Sequence, residues 1–190
     1  MANDPKLTQE QRQSLIELAR AAIAAQFDPD MTIPTCHDQV FRQKRGAFVT
    51  LTIGGALRGC IGRIEPRDRL WNVIIEMAPA AAFRDPRFMA LTRNELDQTE
   101  IEISVLSPLV PVDDPAEIVV GTHGLFIRKG LFSGLLLPQV ASSRNWSVMT
   151  FIEETCRKAG LRPNDWQQQD AELFMFSAEV FSEKESESGC

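Results

Sequence analysis

Apolar residues near the start of the chain recur at helical spacing. Between Thr8 and Gln26 they return every three or four positions, which predicts one amphipathic helix. Thr8 and Gln11 have the spacing of a capping box, so we expect the helix to begin just after Thr8. Thr92 and Glu95 have the same spacing and predict a second capping box. The next segment, 28–34, contains two prolines and two aspartates and is typical of a loop.

A strand-like alternation follows at 48–53, with Val49, Leu51 and Ile53 on one face and Phe48, Thr50 and Thr52 on the other. A second strand-like run covers 56–64. Because Gly54-Gly55 lies between them, the pattern predicts a β-hairpin with a two-residue turn. A period of two divides the second strand into two faces, which are Leu57, Gly59 and Ile61 on one side and Arg58, Cys60 and Gly62 on the other. We therefore expect Arg58 and Cys60 to be neighbours on one surface.

Helical and strand-like patterns continue along the chain. Helices are predicted at 69–83, where Pro79 should kink the helix or end its regular part, and at 147–159, with Gly160 as the cap. Strands are predicted at 100–106 and 172–181, and a second hairpin at 125–137 around Gly130. Because the strands cluster in hairpins, we expect an α+β fold with an antiparallel or mixed β-sheet flanked by helices.

Composition is that of an ordinary globular protein. The 190 residues are 44% hydrophobic and 24% charged, which excludes a disordered or fibrous chain. The apolar stretches are too short to cross a bilayer, and no charged start with an apolar run precedes Thr8. We therefore expect a cytoplasmic protein without membrane contact, with one domain over 1–182 and a flexible acidic tail over 183–190.

Charge is distributed unevenly along the sequence. The net charge of -6 argues against general nucleic-acid binding. The segment from Arg42 to Arg93, however, contains ten Arg or Lys and only four acidic residues. We call this segment the basic island. Such an island suggests a small anionic ligand or an acidic face on a partner, although arginines on a solvated surface would give the same count.

The cysteines show no metal-binding pattern. Cys36, Cys60, Cys156 and Cys190 form no C-x-x-C pair and no zinc-ribbon spacing. In a reducing compartment we expect four free thiols. The sequence predicts no metal site and no cofactor.

Six segments together resemble the AMMECR domain family, whose bacterial and archaeal members are called AmmeMemoRadiSam system protein A. They are LRGCIG (57–62), AAFRDPRF (81–88), EIEISVLSP (100–108), THGLFIRKG (122–130), LLPQVA (136–141) and CRKAGL (156–161). The resemblance implies an α+β fold in which a smaller α/β subdomain packs beside a larger, sheet-based one. Genes of this family lie near genes for a Memo-like protein and a radical SAM enzyme, which implies a shared pathway and those two partners, but no particular reaction.

Cys60, in the LRGCIG segment, is the candidate nucleophile. A nearby guanidinium favours the thiolate form, and Arg58 is predicted beside it. A nucleophilic thiol also needs a base, for which His123 is the first choice and His37 the second. The alternative is architectural: a small buried cysteine where glycines let another backbone approach, with both histidines on an ordinary surface.

The FRDPRF segment places two arginines around an Asp-Pro turn. Arg84 and Arg87, together with Arg63, are the candidate anion-binding residues, because a guanidinium binds phosphate or carboxylate bidentately. Asp85 is expected to pair with an arginine. Two functions stay open: an enzyme centred on Cys60 that acts on a small anionic or carrier-bound substrate, and a non-catalytic docking module for the radical SAM or Memo-like partner.

Overall fold

The computed structural model describes residues 6–28, 30–35 and 38–183. The second candidate base, His37, lies outside these ranges, as does the predicted tail from 184 onward. The helices are α1 (Gln9–Ala24), α2 (Leu70–Phe83), α3 (Arg93–Leu96), α4 (Pro138–Ser143) and α5 (Val148–Lys158). The strands are β1 (Ala47–Ile53), β2 (Ala56–Arg63), β3 (Thr99–Leu106), β4 (Val110–Pro111), β5 (His123–Lys129), β6 (Phe132–Leu136) and β7 (Ala171–Ser182). Short 3-10 helices cover Gln39–Arg42, Pro115–Glu117 and Asp165–Gln167.

The chain divides into two compact units, residues 1–106 with 179–190 and residues 107–178. In the first unit, β1 pairs antiparallel with β2 and β3, and α2 packs on β1 and β2. In the second unit, β5 pairs antiparallel with β6 and β7, and α5 packs on β5 and β6. The predicted α+β class is confirmed, with antiparallel strand pairing. Among the described residues, no helix has both the length and the apolar character that crossing a membrane requires.

Each unit encloses its own hydrophobic core. In the first, the apolar stripe of α1 packs with the inner faces of α2, β1 and β3, as seen in the full burial of Leu15, Ile23, Leu51, Ile74 and Ile103. In the second, α5 covers the sheet with Phe151, Ile152 and Cys156. Cys156 is fully buried, and this desolvation raises the pKa of its thiol.

Helix α1 begins where its capping box predicts. The Gln11 N–H donates to Thr8 Oγ1 at 3.2 Å, and the Thr8 N–H donates to Gln11 Oε1 at 2.9 Å. From the same helix, Arg20 donates to Glu183 at 2.8 Å, and the Glu183 carboxylate also accepts the Ile101 N–H at 2.9 Å. The first residue of the predicted tail is therefore bonded to the first unit.

Helix α2 continues through Pro79 and ends at Phe83. It lies so close to β2 that a Cβ built on Gly59 would stand 2.1 Å from the carbonyl oxygen of Ala81. A Cβ on Gly62 would meet the ring of Phe48, at 2.3 Å, on the neighbouring strand. The two glycines of the LRGCIG motif therefore allow two different close approaches, Gly59 to a helix and Gly62 to an aromatic ring.

A β-bulge in β2 changes which of its residues share a face, so the faces predicted from a period of two are wrong at Leu57. Leu51 is opposite Gly59, but the next residue, Thr52, is opposite Leu57, so Arg58 has no partner in the ladder. The extra residue shifts the alternation by one. Because cross-strand partners share a face, Leu57 lies on the face of Thr52, Thr50 and Cys60, and not with Gly59 and Ile61 as a period of two predicts.

Candidate functional site

Cys60 lies within β2 directly opposite Thr50 of β1. The Thr50 hydroxyl donates a hydrogen bond to the Cys60 sulfur at 3.2 Å. The cysteine is half-buried, in contrast to the fully buried Cys156 of the other unit. The thiol is thus held by a neighbouring hydroxyl and is not sealed in a core.

Asp85 fixes the backbone beside this thiol. Its side chain is only 3% exposed, and its Oδ2 accepts the Cys60 N–H at 2.9 Å. Arg87 donates to the same carboxylate from Nε at 2.9 Å and from Nη2 at 2.6 Å. The hydrogen bonds from Arg87 hold the pKa of Asp85 well below its ordinary value against the opposing effect of burial, and the Cys60 N–H lowers it further.

Arg87 is the guanidinium that the structure brings to Cys60. Its Nη2 also donates to the Cys60 carbonyl oxygen at 3.3 Å, and its guanidinium carbon lies 5.4 Å from the centre of the Phe88 ring. The hydrogen bond to Asp85 raises the pKa of Arg87. The side chain nevertheless remains 54% exposed, and its Nη1 has no hydrogen-bond partner among the described residues.

Arg58 serves a different task. Its Nε and Nη2 bind the two carboxylate oxygens of Glu95 at 3.0 and 3.2 Å, and its Nη1 donates to the Met89 carbonyl at 2.8 Å. The bond from Arg58 lowers the pKa of Glu95 to about 2, with help from the backbone and hydroxyl of Thr92. Arg58 therefore joins β2 to the segment before α3, and its charge is compensated by Glu95.

The two other candidate anion-binding residues differ in how they are held. Arg63 binds both carboxylate oxygens of Glu76 at 2.8 Å, so its charge is compensated. Arg84 is exposed and donates only to the backbone carbonyl of Glu76, at 3.3 Å. Arg84 has no carboxylate partner among the described residues, and Arg87, although paired with Asp85, is more exposed than Arg63, at 54% against 31%.

His123 is the first residue of β5 and belongs to the second unit. Its Nδ1 accepts the Val119 N–H at 3.1 Å. A neutral imidazole in this hydrogen bond carries its proton on Nε2 and presents a donor there, so it can act as a base only after the bond to Val119 breaks. The pairing of His123 with Cys60 remains a prediction.

No ready metal site accompanies these residues. Within the ranges that the structure describes, no three His, Cys, Asp or Glu side chains are grouped as the ligands of a metal ion would be. The chemistry available around Cys60 is that of a thiol, a hydroxyl, a carboxylate and a guanidinium.

The sequence does not predict the roles of Thr50 and Glu95 in this site. Thr50 was assigned only to a strand face, and Glu95 only to a capping box, which it does form with Thr92. A two-residue turn with regular pairing would place Thr50 opposite Gly59, so the partner of Cys60 cannot be counted from the hairpin. The bulge at Arg58 moves the register by one and brings Thr50 to the thiol.

Comparisons with known proteins agree with the motif pattern. The AMMECR1 family model matches residues 16–181. A protein from Methanothermobacter thermautotrophicus is 40% identical, over 93% of this chain and 96% of its own length, and one from Aquifex aeolicus is 38% identical, over 90% and 92%. The crystal structure of the uncharacterized protein PH0010 from Pyrococcus horikoshii is similar with a TM-score of 0.85 and 37% identity, covering 94% of each chain.

Proposed function

The chain belongs to the AMMECR1 family, and from that premise we propose that it is the AmmeMemoRadiSam component whose Cys60 thiol reacts with a small anionic or carrier-bound substrate. The observation that carries the proposal is the 3.2 Å hydrogen bond from Thr50 to the sulfur of a half-buried cysteine. A hydroxyl donor at this position stabilises negative charge that develops on sulfur.

Arg87 supplies the anion-binding part of this proposal. Asp85 holds its Nε and Nη2, which fixes the guanidinium plane while Nη1 still points to no described partner. A cation held in one orientation loses less conformational entropy when it binds an anion than a free side chain does. Arg84 lies three residues earlier on the same segment and adds a second exposed charge.

In the reaction we propose, Cys60 Sγ adds to a carbonyl carbon of the substrate: the S–C bond forms as the C=O π bond breaks, the π electrons move to the carbonyl oxygen, and the thiol proton passes to a base. His123 is the candidate base, and its role requires release of the Val119 hydrogen bond. Arg58 is assigned to positioning, because Glu95 and the Met89 carbonyl already occupy its guanidinium.

Alkylation of the protein tests the thiol. Iodoacetamide at pH 7, followed by peptide mass spectrometry, should modify Cys60 faster than a free cysteine peptide and leave the buried Cys156 unmodified in the folded protein. The variant Thr50→Val should slow the reaction at Cys60, whereas Thr50→Ser, which keeps the hydroxyl, should not. If Cys60 of the wild-type protein reacts with iodoacetamide no faster than the peptide, its thiol is not activated and the proposal is wrong.

A deletion strain tests the function. Cys60→Ser should fail to restore the metabolites or modified RNAs that change on deletion, while Cys156→Ser should restore them. If Cys60→Ser is fully active, the thiol chemistry is excluded and the alternative below applies.

The second candidate function is a docking module for the radical SAM enzyme or the Memo-like protein. Two exposed apolar side chains favour it: Leu57 shares the face of Cys60 with 44% exposure, and Met89, whose carbonyl binds Arg58, is 85% exposed. Reversal of charge in Arg84→Glu with Arg87→Glu should then abolish co-purification with the partner, while Cys60→Ser should leave it unchanged.

A further inference from the structure

Lys44 and Arg69 are direct partners in an isolated antiparallel bridge. The Leu70 N–H donates to the Gln43 carbonyl at 2.9 Å, one residue outside the pair on each side. This places Lys44 and Arg69 opposite each other without a hydrogen bond between them, the arrangement in which cross-strand side chains lie closest. Two cations therefore project from one face with their Cβ atoms about 5 Å apart.

Like charges in this arrangement destabilise the fold unless something compensates them. Both side chains are exposed, and within the described residues neither has an ion-pair partner. Asp68 is the neighbouring carboxylate: its Oδ1 accepts the Arg69 N–H at 2.7 Å and the Asn72 side chain at 3.0 Å, and its charge offsets part of that of Arg69 without a direct ion pair. Arg42, two residues before Lys44, is exposed and adds a third cation.

The ion pairs of the basic island locate its excess charge. Four arginines of the island form an ion pair with a carboxylate: Arg58 with Glu95, Arg63 with Glu76, Arg67 with Glu65 and Arg87 with Asp85. Lys44 and Arg69 do not, although Glu65 and Asp68 are close in sequence. Arg84 is also exposed without a carboxylate partner among the described residues, but Lys44 and Arg69 are held directly opposite each other by the backbone.

We propose that Lys44 and Arg69 bind the phosphate monoester group of a small ligand. Such a group carries close to two negative charges at neutral pH and so matches two adjacent cations. The guanidinium can bind two of its oxygens, and the ammonium supplies a compact charge beside them. Arg42 widens the positive field that attracts the ligand.

This site is separate from the Cys60 site. Arg69 immediately precedes α2, whereas Ala81, which contacts Gly59 beside Cys60, lies near the other end of that helix. Twelve residues of helix separate the two by about 18 Å along the axis. Phosphate binding at Lys44 and Arg69 can therefore be tested independently of the thiol chemistry, and the failure of one proposal would not affect the other.

Titration with inorganic phosphate, followed by amide NMR at low salt, tests the proposal. Saturable shifts should concentrate at residues 44 and 69, and Lys44→Ala with Arg69→Ala should weaken binding about tenfold or more, because a charge-assisted hydrogen bond contributes about 1.5 kcal/mol or more. Arg67→Ala removes the same charge two residues away, at an arginine paired with Glu65, and should change binding less than twofold. Acetate, with one charge, should bind more weakly than phosphate.

Thermal unfolding at low salt gives a second measurement that does not require the double variant to fold. Lys44→Gln should raise the Tm of the ligand-free protein, and phosphate should raise the Tm of the wild type more than that of the variant. Linear shifts without saturation, equal binding by the double variant, or binding of acetate as tight as that of phosphate would overturn the proposal. Binding of a polyglutamate peptide without binding of phosphate would also overturn it, in favour of an acidic protein partner.

Discussion

The carboxylate of Asp85 accepts the backbone N–H of Cys60 at 2.9 Å across 25 residues of sequence. This bond joins the LRGCIG and FRDPRF motifs into one structure, because the same carboxylate holds Arg87. Asp85 is therefore more than the ion-pair partner that the sequence predicts. It positions both the thiol-bearing strand and the exposed guanidinium next to it.

Replacement of Asp85 tests this link. Asp85→Asn keeps the size of the side chain but loses the charge that holds Arg87, and its amide can satisfy only part of the carboxylate's bonds. We expect a loss of about 2 kcal/mol in the free energy of unfolding, since hydrogen bonds to charged groups contribute about 1.5–3 kcal/mol. Hydrogen exchange at the Cys60 amide should accelerate more than at Leu125, an amide of the other unit. Equal acceleration at both would contradict a local role.

Acid should destabilise the first unit through Asp85 and Glu95. Both carboxyls have pKa values lowered by arginine, Glu95 to about 2, so their contribution to stability is complete above their unfolded values near 4. It is lost as pH falls, for Glu95 between about pH 5 and its folded value of about 2, and for Asp85 from its unfolded value near 4 down towards its own lowered folded value.

Chemical denaturation between pH 7 and pH 2 measures this loss. Glu95→Gln and Asp85→Asn should each be less stable than the wild type at pH 7 and should lose less stability on acidification. Curves for variant and wild type that run parallel over the whole range would show that these pKa values do not govern acid stability.

The hydrogen bonds of Arg58 predict that lysine cannot replace it. Lysine cannot bind both oxygens of Glu95 while also reaching the Met89 carbonyl. Arg58→Lys should therefore lower the free energy of unfolding by about 1–3 kcal/mol and increase proteolysis near residue 89. Arg128→Lys, in the exposed pair with Glu172, should change stability by less than about 1 kcal/mol.

Alkylation of the same variant separates the two roles of Arg58. If Arg58 only positions the chain, Cys60 should react with iodoacetamide in Arg58→Lys within about twofold of the wild-type rate. A loss of reactivity in Arg58→Ala that Arg58→Lys restores would instead mean that the charge of Arg58 acts on the thiol.

Much of the fold follows from local patterns in the sequence. The capping boxes at Thr8 and Thr92, the Gly54-Gly55 hairpin and the second hairpin at Gly130 all lie where spacing and turn chemistry predict them. These features depend on residues within a few positions of one another, so a single sequence is sufficient to locate them. The short helix α4, which starts at Pro138 directly after β6, has too few residues to show a helical period.

The site depends on long-range contacts that spacing does not reveal. A period of two predicts that Arg58 and Cys60 are neighbours on one face of β2. In the structure, the bulge places Thr50 of β1 opposite Cys60, and the Arg58 side chain binds Glu95. No local pattern distinguishes a bulged residue from a regular one when both fit a strand. Nor could the sequence tell which arginine of the island reaches the cysteine, because Arg87 does so through a turn 27 residues away.

Gly59 marks the place where the motif tolerates no side chain. A Cβ there would stand 2.1 Å from the Ala81 carbonyl of α2, and backbone cannot move aside as the end of a flexible side chain can. Gly59→Ala should therefore lower the free energy of unfolding by about 3 kcal/mol, near the upper end of the usual cost of overpacking. Because α2 leads directly into the segment that carries Asp85, displacing the helix should also weaken the bond from the Cys60 N–H and accelerate exchange of that amide.

Ala56→Ser, an exposed change on the same strand, is the control and should alter neither stability nor exchange by a measurable amount. If Gly59→Ala were as stable as Ala56→Ser, the close approach of α2 to β2 would be refuted, and with it the explanation of why this strand carries glycine beside its cysteine.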